Sequence, residues 1–233
     1  MPRTKYFYMN DASEPLTIIL LGRSGAGKGT QAVLLQEKFS LQYIGSGDLL
    51  RARSREEDYS GRTIRAVLAR GDFAPTVFIS KLWMDLFEKY HEQGAGHGFL
   101  FDGSPRKLLE AHLIDQALAW YSWDKRQHIF LLDVPADVAR QRLLTRRICA
   151  QCKAVTSTVF MDLGQLTSCG VCKNTAFEKR FDDVPELIEN RLGLFDKEVE
   201  PVVAHYEEQG RLVRIDGTRS PEEVYTDICH YLA

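Results

Sequence analysis

"TIILLGRSGAGKGT" occupies residues 17–30 and contains three consecutive signals. Its first five residues, Thr17–Leu21, form an apolar run rich in β-branched side chains, which is typical of a buried parallel strand. A glycine-rich turn follows that fits the pattern G-x-x-x-x-G-K from Gly22 to Lys28. The next stretch, "KGTQAVLLQEKF", has apolar residues at helical spacing. A glycine-rich turn between a strand and a helix predicts a loop whose backbone N–H groups bind phosphate.

Strand-like runs and helical stretches alternate along the rest of the chain. The further strand-like runs are "GFLFD" at Gly98–Asp102, "HIFLLDV" at His128–Val134 and "RLVRID" at Arg211–Asp216. The helical stretches are Thr76–Gln93, Leu108–Trp120, Ala136–Arg146, Pro185–Gln209 and Pro221–Leu232. This alternation predicts an α/β fold with a parallel sheet covered on both faces. Ligands are expected beyond the carboxyl ends of its strands.

Composition excludes several classes of protein. A length of 233 residues suits one core with small inserted lobes. The net charge of −2 provides no general attraction to nucleic acid or acidic membranes, and no apolar run is long enough to span a bilayer. Residues 1–15 lack the apolar stretch of a signal peptide, so we expect an N-terminal extension and a cytoplasmic protein. Five cysteines without an export signal favour metal binding over disulfides.

Gly29 separates Lys28 from Thr30, whereas in the common pattern a hydroxyl residue follows the lysine directly. "GRSGAGKGT" resembles the signature of the adenylate kinase and nucleoside monophosphate kinase family, in which Gly-Lys-Gly-Thr is the normal ending. In that family Mg²⁺ is held largely through water. Ser24 stands where the family usually has proline, so we expect a slightly less rigid loop. The resemblance implies an ATP site with Mg²⁺ formed by Gly25, Ala26, Gly27, Lys28, Gly29 and Thr30.

Further motifs of the same family follow in the same order. These are "SGDLLR" at Ser46–Arg51, "GDFAP" at Gly71–Pro75, "GFLFDGSPR" at Gly98–Arg106, "EKRFDD" at Glu178–Asp183 and "DGT" at Asp216–Thr218. The match runs from Thr17 to Thr218, nearly the whole chain. It implies a P-loop kinase with a five-stranded parallel sheet flanked by helices. It also implies a small helical monophosphate-binding insert and a zinc-ribbon lid.

The resemblance assigns residues to two nucleotide sites. An enzyme that transfers a phosphoryl group between nucleotides must neutralise and align many phosphate oxygens, and cationic residues suit that task. The implied catalytic residues are Lys28, Asp102, Arg106, Arg146, Arg180 and Arg191. The implied monophosphate site comprises Ser46, Gly47, Arg51, Ala74, Gly103, Arg106 and Glu110. Arg142 and Arg219 are implied at the ATP base, and we expect Arg142 and Arg146 to share one helix face. Asp182 and Asp183 are either part of this site or simple acids at a helix N-terminus.

Four cysteines have the spacing of a zinc site. Cys149 and Cys152 form one C-x2-C pair, and Cys169 and Cys172 form a second pair, with sixteen residues between the pairs. Four thiolates close the coordination sphere, so we expect a structural zinc ion that stabilises a small lobe. The lobe lies where the family carries its mobile lid. Cys229, in the last helical stretch, is expected to be a packing residue.

The resemblance also predicts the domain organisation. We expect an N-terminal extension at 1–15 and a P-loop core made of 16–44, 75–144 and 184–233. The monophosphate-binding insert is expected at 45–74, and the zinc-binding lid at 145–183.

The acceptor base is the least constrained part of the prediction. Glu110 stands where adenylate kinases have a glutamine whose amide recognises adenine, and an ionised glutamate offers only acceptors. Ser46, Ser104 and Ala74 also depart from the family pattern. We favour AMP as acceptor for ATP, with GMP, CMP, UMP or several monophosphates as the alternative.

Two rival classes of function are disfavoured. A P-loop protein that only hydrolyses nucleotide would not need the arginines of the acceptor motifs. A zinc-ribbon nucleic-acid binder would need a more basic, more aromatic ribbon. We therefore expect a monomer with nucleotide substrates and without nucleic-acid or membrane partners.

Overall fold

The computed structural model describes residues 14–93, 98–157 and 166–232. The expected N-terminal extension therefore lies almost entirely outside the described residues. None of the helices in these three ranges combines the length and the apolarity that are needed to cross a bilayer.

A parallel sheet forms the centre of the described chain and confirms the predicted fold class. Its five strands are β1 (Leu16–Leu21), β2 (Gln42–Gly45), β3 (Gly98–Asp102), β4 (Arg126–Asp133) and β8 (Leu212–Asp216). They lie in the order β2-β3-β1-β4-β8, and every neighbouring pair is parallel. β1 is therefore central, and all six of its residues are buried. The carboxyl ends of β1, β3 and β4 meet at one edge, where Leu20 pairs with Asp102.

Helices cover both faces of this sheet. They are α1 (Lys28–Phe39), α2 (Ser46–Arg53), α3 (Tyr59–Ala69), α4 (Thr76–Glu92), α5 (Leu108–Trp120), α6 (Ala136–Thr145), α7 (Pro185–Leu194), α8 (Glu200–Glu208) and α9 (Pro221–Leu232). Alternate residues of β1 point to opposite faces. Ile19 therefore packs in one hydrophobic cluster with Trp83, and Ile18 packs in the other with Leu35. These two cores fix the sheet edge at which the phosphate loop lies.

Two excursions leave this core. Between β2 and α4 the chain forms α2 and α3, a short helical segment. Between α6 and α7 it forms a small antiparallel sheet of β5 (Arg146–Cys149), β6 (Val155–Ser157) and β7 (Phe177–Glu178), in the order β6-β5-β7. The first excursion starts at the carboxyl end of β2, and the second starts at the end of α6.

Three details differ from the expectations. β2 was not among the strand-like runs, because "QYIG" is short and only partly apolar. The predicted helix 185–209 is divided by a π-helical turn, Phe195–Val199, between α7 and α8. Arg146 is not helical: it has φ −59° and ψ 137°, and its backbone pairs with Ser157 in the antiparallel sheet. The prediction that Arg142 and Arg146 share one helix face is therefore wrong.

Candidate functional site

The phosphate loop connects β1 to α1 at the carboxyl edge of the sheet. Two of its glycines need the left-handed region, with φ of +89° at Gly25 and +98° at Gly27. A Cβ atom on Gly25 would lie 2.6 Å from the carbonyl oxygen of Ala139, so only glycine fits the close approach of loop and α6. Ala26 is buried, and the N–H of Thr30 donates to the Gly27 carbonyl at 3.0 Å. The first turn of α1 therefore opens directly beneath the loop, where an anion is favoured.

Lys28 lies across this loop. Its Nζ donates to the carbonyl oxygens of Gly22 at 2.7 Å and of Arg23 at 2.9 Å. Desolvation lowers its pKa to about 8, and Asp102 acts in the opposite direction. Arg106, Arg191 and Arg146 lower the pKa further. Lys28 is thus within electrostatic range of four of the other implied catalytic residues.

Asp102 ends β3 beside the loop, in contact with the first turn of α1. A Cβ atom on Gly29 would lie 3.6 Å from Oδ2 of Asp102, an ordinary van der Waals distance, so a larger residue would also fit there. The same oxygen accepts the hydroxyl of Tyr43 at 3.2 Å, and the Asp102 carbonyl accepts the hydroxyl of Ser46 at 3.1 Å. The Asp102 carboxylate therefore faces the start of α1, where it could orient a hydrated cation.

A pocket beside Asp102 brings together four residues of the implied monophosphate site: Ser46, Ala74, Arg106 and Glu110. Apolar residues and one hydroxyl complete its walls: Leu50, Phe73, Ile79 and Ser104. This mixture of apolar walls with a few polar groups suits a small, partly polar ligand.

Arg106 forms one wall of this pocket. Its Nε donates to the Gly103 carbonyl at 2.7 Å, and its guanidinium lies 4.8 Å from the centre of the Phe73 ring. Gly103 has φ +75°, and a Cβ atom there would come within 3.1 Å of the guanidinium. Desolvation lowers the pKa of Arg106. The guanidinium is held by its stem and ring contact, which leaves donors for a phosphate.

Glu110, in the first turn of α5, is only 2% exposed. Its Oε2 accepts the backbone N–H of Arg106 at 2.7 Å. Burial raises the pKa of this carboxyl, whereas that hydrogen bond and the charges of Arg106 and Lys107 oppose the rise. Its neutral form is therefore favoured relative to a glutamate in water.

Arg51 lies on α2, directly above Gly47. A Cβ atom on Gly47 would lie 3.0 Å from its guanidinium, which also pairs with Asp48. Arg180 follows β7 on the second excursion. Desolvation lowers its pKa to about 10, and the charges of Arg146 and Arg51 lower it further. The two excursions from the core thus face each other through their arginines.

Arg146 and Arg191 converge on one buried carboxylate. Asp183, whose side chain is 2% exposed, accepts from Nε of Arg146 at 2.7 Å and from Arg191 at 3.4 Å. Asp182 pairs with Arg191 at 3.2 Å. Both aspartates precede α7, and both contact arginines that the resemblance implies as catalytic.

Arg142 and Arg219 lie at the turn that follows β8. Arg142 is 7% exposed and donates to the carbonyl oxygens of Gly217 at 2.8 Å and Thr218 at 3.2 Å. Arg219 pairs with Asp227 and lies 3.9 Å from Asp216. The contacts of both residues are thus with that turn and with α9.

The four spaced cysteines of the second excursion lie together. All four Sγ atoms are within 4.8 Å of one another, and the Cys149–Cys172 and Cys152–Cys169 separations are 3.4 and 3.5 Å. Tetrahedral zinc with Zn–S bonds of about 2.3 Å needs sulfur atoms roughly 3.8 Å apart, so the donor set fits that ion. The Cys152 and Cys172 N–H groups lower the pKa values of the Cys149 and Cys169 thiols, the latter to about 6.

Sequence reasoning missed two residues of this region. Tyr43 contacts Asp102, and Phe73 lies beneath the Arg106 guanidinium. Each residue lies inside or beside a motif, but a single aromatic residue gives no signal of its partner. Only the packing of β2 and of the turn before α4 reveals these contacts.

Comparisons with known proteins agree with this geometry. A family model described as adenylate kinase matches residues 20–211. An adenylate kinase of Chlamydia pneumoniae is 34% identical over 210 residues, which cover 90% of this chain and 94% of that protein. Adenylate kinases of Agathobacter rectalis and Clostridium tetani are 32% and 31% identical, over 91% and 93% of this chain and 97% and 98% of those proteins. Together with the phosphate loop, the paired nucleotide motifs and the four-cysteine cluster, these similarities show that the chain belongs to the adenylate kinase family.

Proposed function

We propose that this protein transfers the terminal phosphoryl group of Mg·ATP to AMP, reversibly, to give two molecules of ADP. The observation that carries the proposal is the convergence of two sets of groups. The phosphate loop with Lys28 meets the acceptor pocket with Arg106 at the Asp102 edge of the sheet. The adenylate kinase relatives, which match over most of their length, support the same reaction.

The residues act by positioning and charge. The loop N–H groups and Lys28 hold the donor phosphates, and Arg106 and Arg51 hold the acceptor phosphate. Arg146, Arg180 and Arg191 offset the charge that spreads over the transferred group. An oxygen of the acceptor phosphate attacks the terminal phosphorus of ATP, the bond from that phosphorus to the β–γ bridging oxygen breaks and ADP leaves, so the reaction forms no covalent intermediate with the protein. An ionised acceptor phosphate has no proton to lose, which removes the need for a general base.

Asp102 would orient the magnesium ion that accompanies ATP. Its carboxylate is an oxygen donor of the type that Mg²⁺ prefers, and it lies beside the first turn of α1. The bound ion would neutralise part of the phosphate charge. We assign zinc a different role, inside the lobe formed by β5, β6 and β7, where four sulfurs leave no open position for chemistry.

Glu110 supports AMP as the acceptor in its neutral form. A protonated carboxyl has one donor and one acceptor, as a glutamine amide does, and adenine requires this pair. An ionised carboxylate would instead favour the two donors of guanine. Because burial favours the neutral form of Glu110, adenine recognition is compatible with glutamate at this position.

We further propose that residues 45–74 form the monophosphate-binding insert and 145–183 the lid, with 16–44, 75–144 and 184–233 as the core. Closure of the lid would bring Arg180 onto the transferred group and exclude water. We also propose that the protein is a cytoplasmic monomer whose partners are nucleotides.

A coupled assay with AMP, GMP, CMP and UMP tests the proposal. We expect AMP to be the best acceptor of the wild-type protein, and Glu110→Gln to raise the rate with AMP relative to GMP. Glu92→Gln, an exposed change at the end of α4, is the control. An AMP rate no better than the others would overturn the choice of acceptor. ATP hydrolysis that proceeds equally with and without any monophosphate would overturn the kinase assignment itself.

A further inference from the structure

The phosphate loop begins with a tight turn that lacks its usual rigid residue. The N–H of Ala26 donates to the Arg23 carbonyl at 3.0 Å, and Gly25, at the third position, has φ +89°. These features define a type II turn, whose second position favours proline because the ring fixes φ. Ser24 occupies that position here. The turn therefore needs another source of rigidity.

The Arg23 side chain leaves the loop and contacts the π-helical turn Phe195–Val199. Its guanidinium lies 4.3 Å from the centre of the Phe195 ring and pairs with Asp196. Glu200 lies 3.8 Å away on its other side. A planar guanidinium can stack on a ring and bind a carboxylate at the same time, which a lysine cannot do equally well.

Both ends of this contact are firmly attached. Phe195 is 7% exposed and packs in the larger hydrophobic core. The π-helical turn directly follows α7, which carries Arg191. At the other end, the Arg23 carbonyl accepts both the Ala26 N–H and the Lys28 Nζ. Movement of Arg23 would therefore displace the turn and the lysine together.

We propose that Arg23 is a positioning residue for the donor site: its contact with Phe195 and Asp196 fixes the first turn of the phosphate loop, in place of the proline that Ser24 does not supply. The inference rests on the proposed kinase function. Arg23 acts through the loop and not by contact with the phosphates, since the Phe195 ring and the carboxylates of Asp196 and Glu200 already engage its guanidinium.

Arg23→Met removes the charge and the planar group but keeps the stem. We expect the Kd for ATP and the KM for ATP to rise about five- to thirtyfold, the change that an interaction of one or two kcal/mol makes. The KM for AMP should change less than twofold. Arg140→Met, which removes a surface pair between α6 and Glu189 of α7, is the matched control and should leave all three constants unchanged.

A proline introduced at position 24 distinguishes a positioning role of Arg23 from direct phosphate binding by Arg23. In the double variant Arg23→Met/Ser24→Pro, the ATP constants should return to within about threefold of wild type, because proline rigidifies the turn by itself. Ser24→Pro alone should lower the Kd and the KM for ATP only slightly. The ATP constants of Arg23→Lys should lie between those of the wild type and those of Arg23→Met. Thermal melting of each variant checks that the chain is folded.

Two outcomes would overturn the inference. ATP constants of Arg23→Met within twofold of wild type would show that the contact does not position the loop. Loss of ATP binding that Ser24→Pro does not restore would assign Arg23 a direct phosphate contact instead. Because the Kd for ATP is measured without an acceptor, and wild-type transfer to AMP is measured separately, failure of this inference is distinguishable from failure of the kinase proposal.

Discussion

At the residue scale, the site depends on charged side chains that are partly removed from water. Desolvation lowers the pKa of Lys28 and Arg106 and raises that of Glu110. Each shift favours the uncharged form, and phosphates reverse the effect for the cations by supplying negative charge. Two of these shifts predict measurable pH dependence.

Lys28 should limit ATP capture at alkaline pH. In the free protein its pKa is about 8, so kcat/KM for ATP should fall as the pH rises through that value and the ammonium loses its charge. Lys28→Arg should give a lower value that stays flat between about pH 7 and pH 9, because arginine remains protonated. A decline of the same shape in Lys28→Arg would assign the titration to another group.

Glu110 should make AMP binding depend on pH. The neutral carboxyl pairs with adenine, so the KM for AMP should rise as the pH increases through the raised pKa, by up to about tenfold per pH unit. Arg106 and Lys107, the cationic groups near the carboxyl, oppose the raised pKa and shift this rise to lower pH. Glu110→Gln should lack the rise while keeping the titration of the AMP phosphate, which makes it the internal control. Parallel pH profiles for the two proteins would rule out the neutral glutamate.

At the element scale, short segments between helices and strands place the arginines. Arg146 begins β5 and Arg191 lies on α7, and Asp183 joins them at the point where the small sheet returns to the core. The carboxylate is buried while its partners retain donors for a phosphate. The same contact therefore serves both stability and the arrangement of the site.

Removal of Asp183 should be costly. Asp183→Ala leaves two guanidinium groups close together without their shared carboxylate, and loss of one partner of a buried ion pair costs about 3–5 kcal/mol of unfolding free energy. Urea denaturation would measure the change. Glu189→Ala, which removes only a surface pair with Arg140, should have little effect. Equal stability of the two variants would contradict a structural role for Asp183.

Zinc should be bound by the four-cysteine cluster and by no other cysteine. Metal analysis should find about one zinc per chain in the wild type and about none in Cys172→Ser, together with a lower melting temperature. Cys229→Ser changes the remaining cysteine, on α9, and should retain the metal. Wild-type zinc content in Cys172→Ser would exclude the cluster as the site.

At the scale of the whole molecule, two excursions from one rigid core carry cations that face each other. Arg51 lies on the first excursion and Arg180 on the second, and the charge of Arg51 contributes to the lowered pKa of Arg180. The central strands and their two cores keep the phosphate loop in place between them. Nucleotides with several negative charges should therefore stabilise the molecule by binding the arginines of both excursions and the phosphate loop at the same time.

Ligands that span both sites should stabilise the fold more than single nucleotides. A bisubstrate nucleotide at about one hundred times its Kd should add about 2.7 kcal/mol to the free energy of unfolding, and ATP or AMP alone at the same concentration should add less. Thermal melting with each ligand measures the difference. High salt should reduce it, since screening weakens attraction between arginines and phosphates. Equal stabilisation by ATP alone and by the bisubstrate ligand would argue against two facing sites.

The sequence determined much of this architecture, and its failures are local. "GFLFD" was predicted as a strand with the bounds that β3 has, because a continuous apolar run is typical of a strand buried on both faces. The four-cysteine spacing likewise predicted the cluster. By contrast, "QYIG" has no such pattern, and β2 forms because β3 offers it an edge to pair with.

The order of residues along the chain was therefore enough to specify the parallel sheet, the phosphate loop, the cysteine cluster and the family of the protein. These features depend on local periodicity and on the spacing of motif residues. Tertiary structure alone decided which groups meet. Arg146 leaves its helix because β6 captures its backbone, Asp183 gathers two arginines, and Arg23 finds Phe195 across a separation of more than 170 residues. The physical reason is that a charge or a ring gives no sign of its partner in the sequence, since the partner is chosen by how distant elements pack.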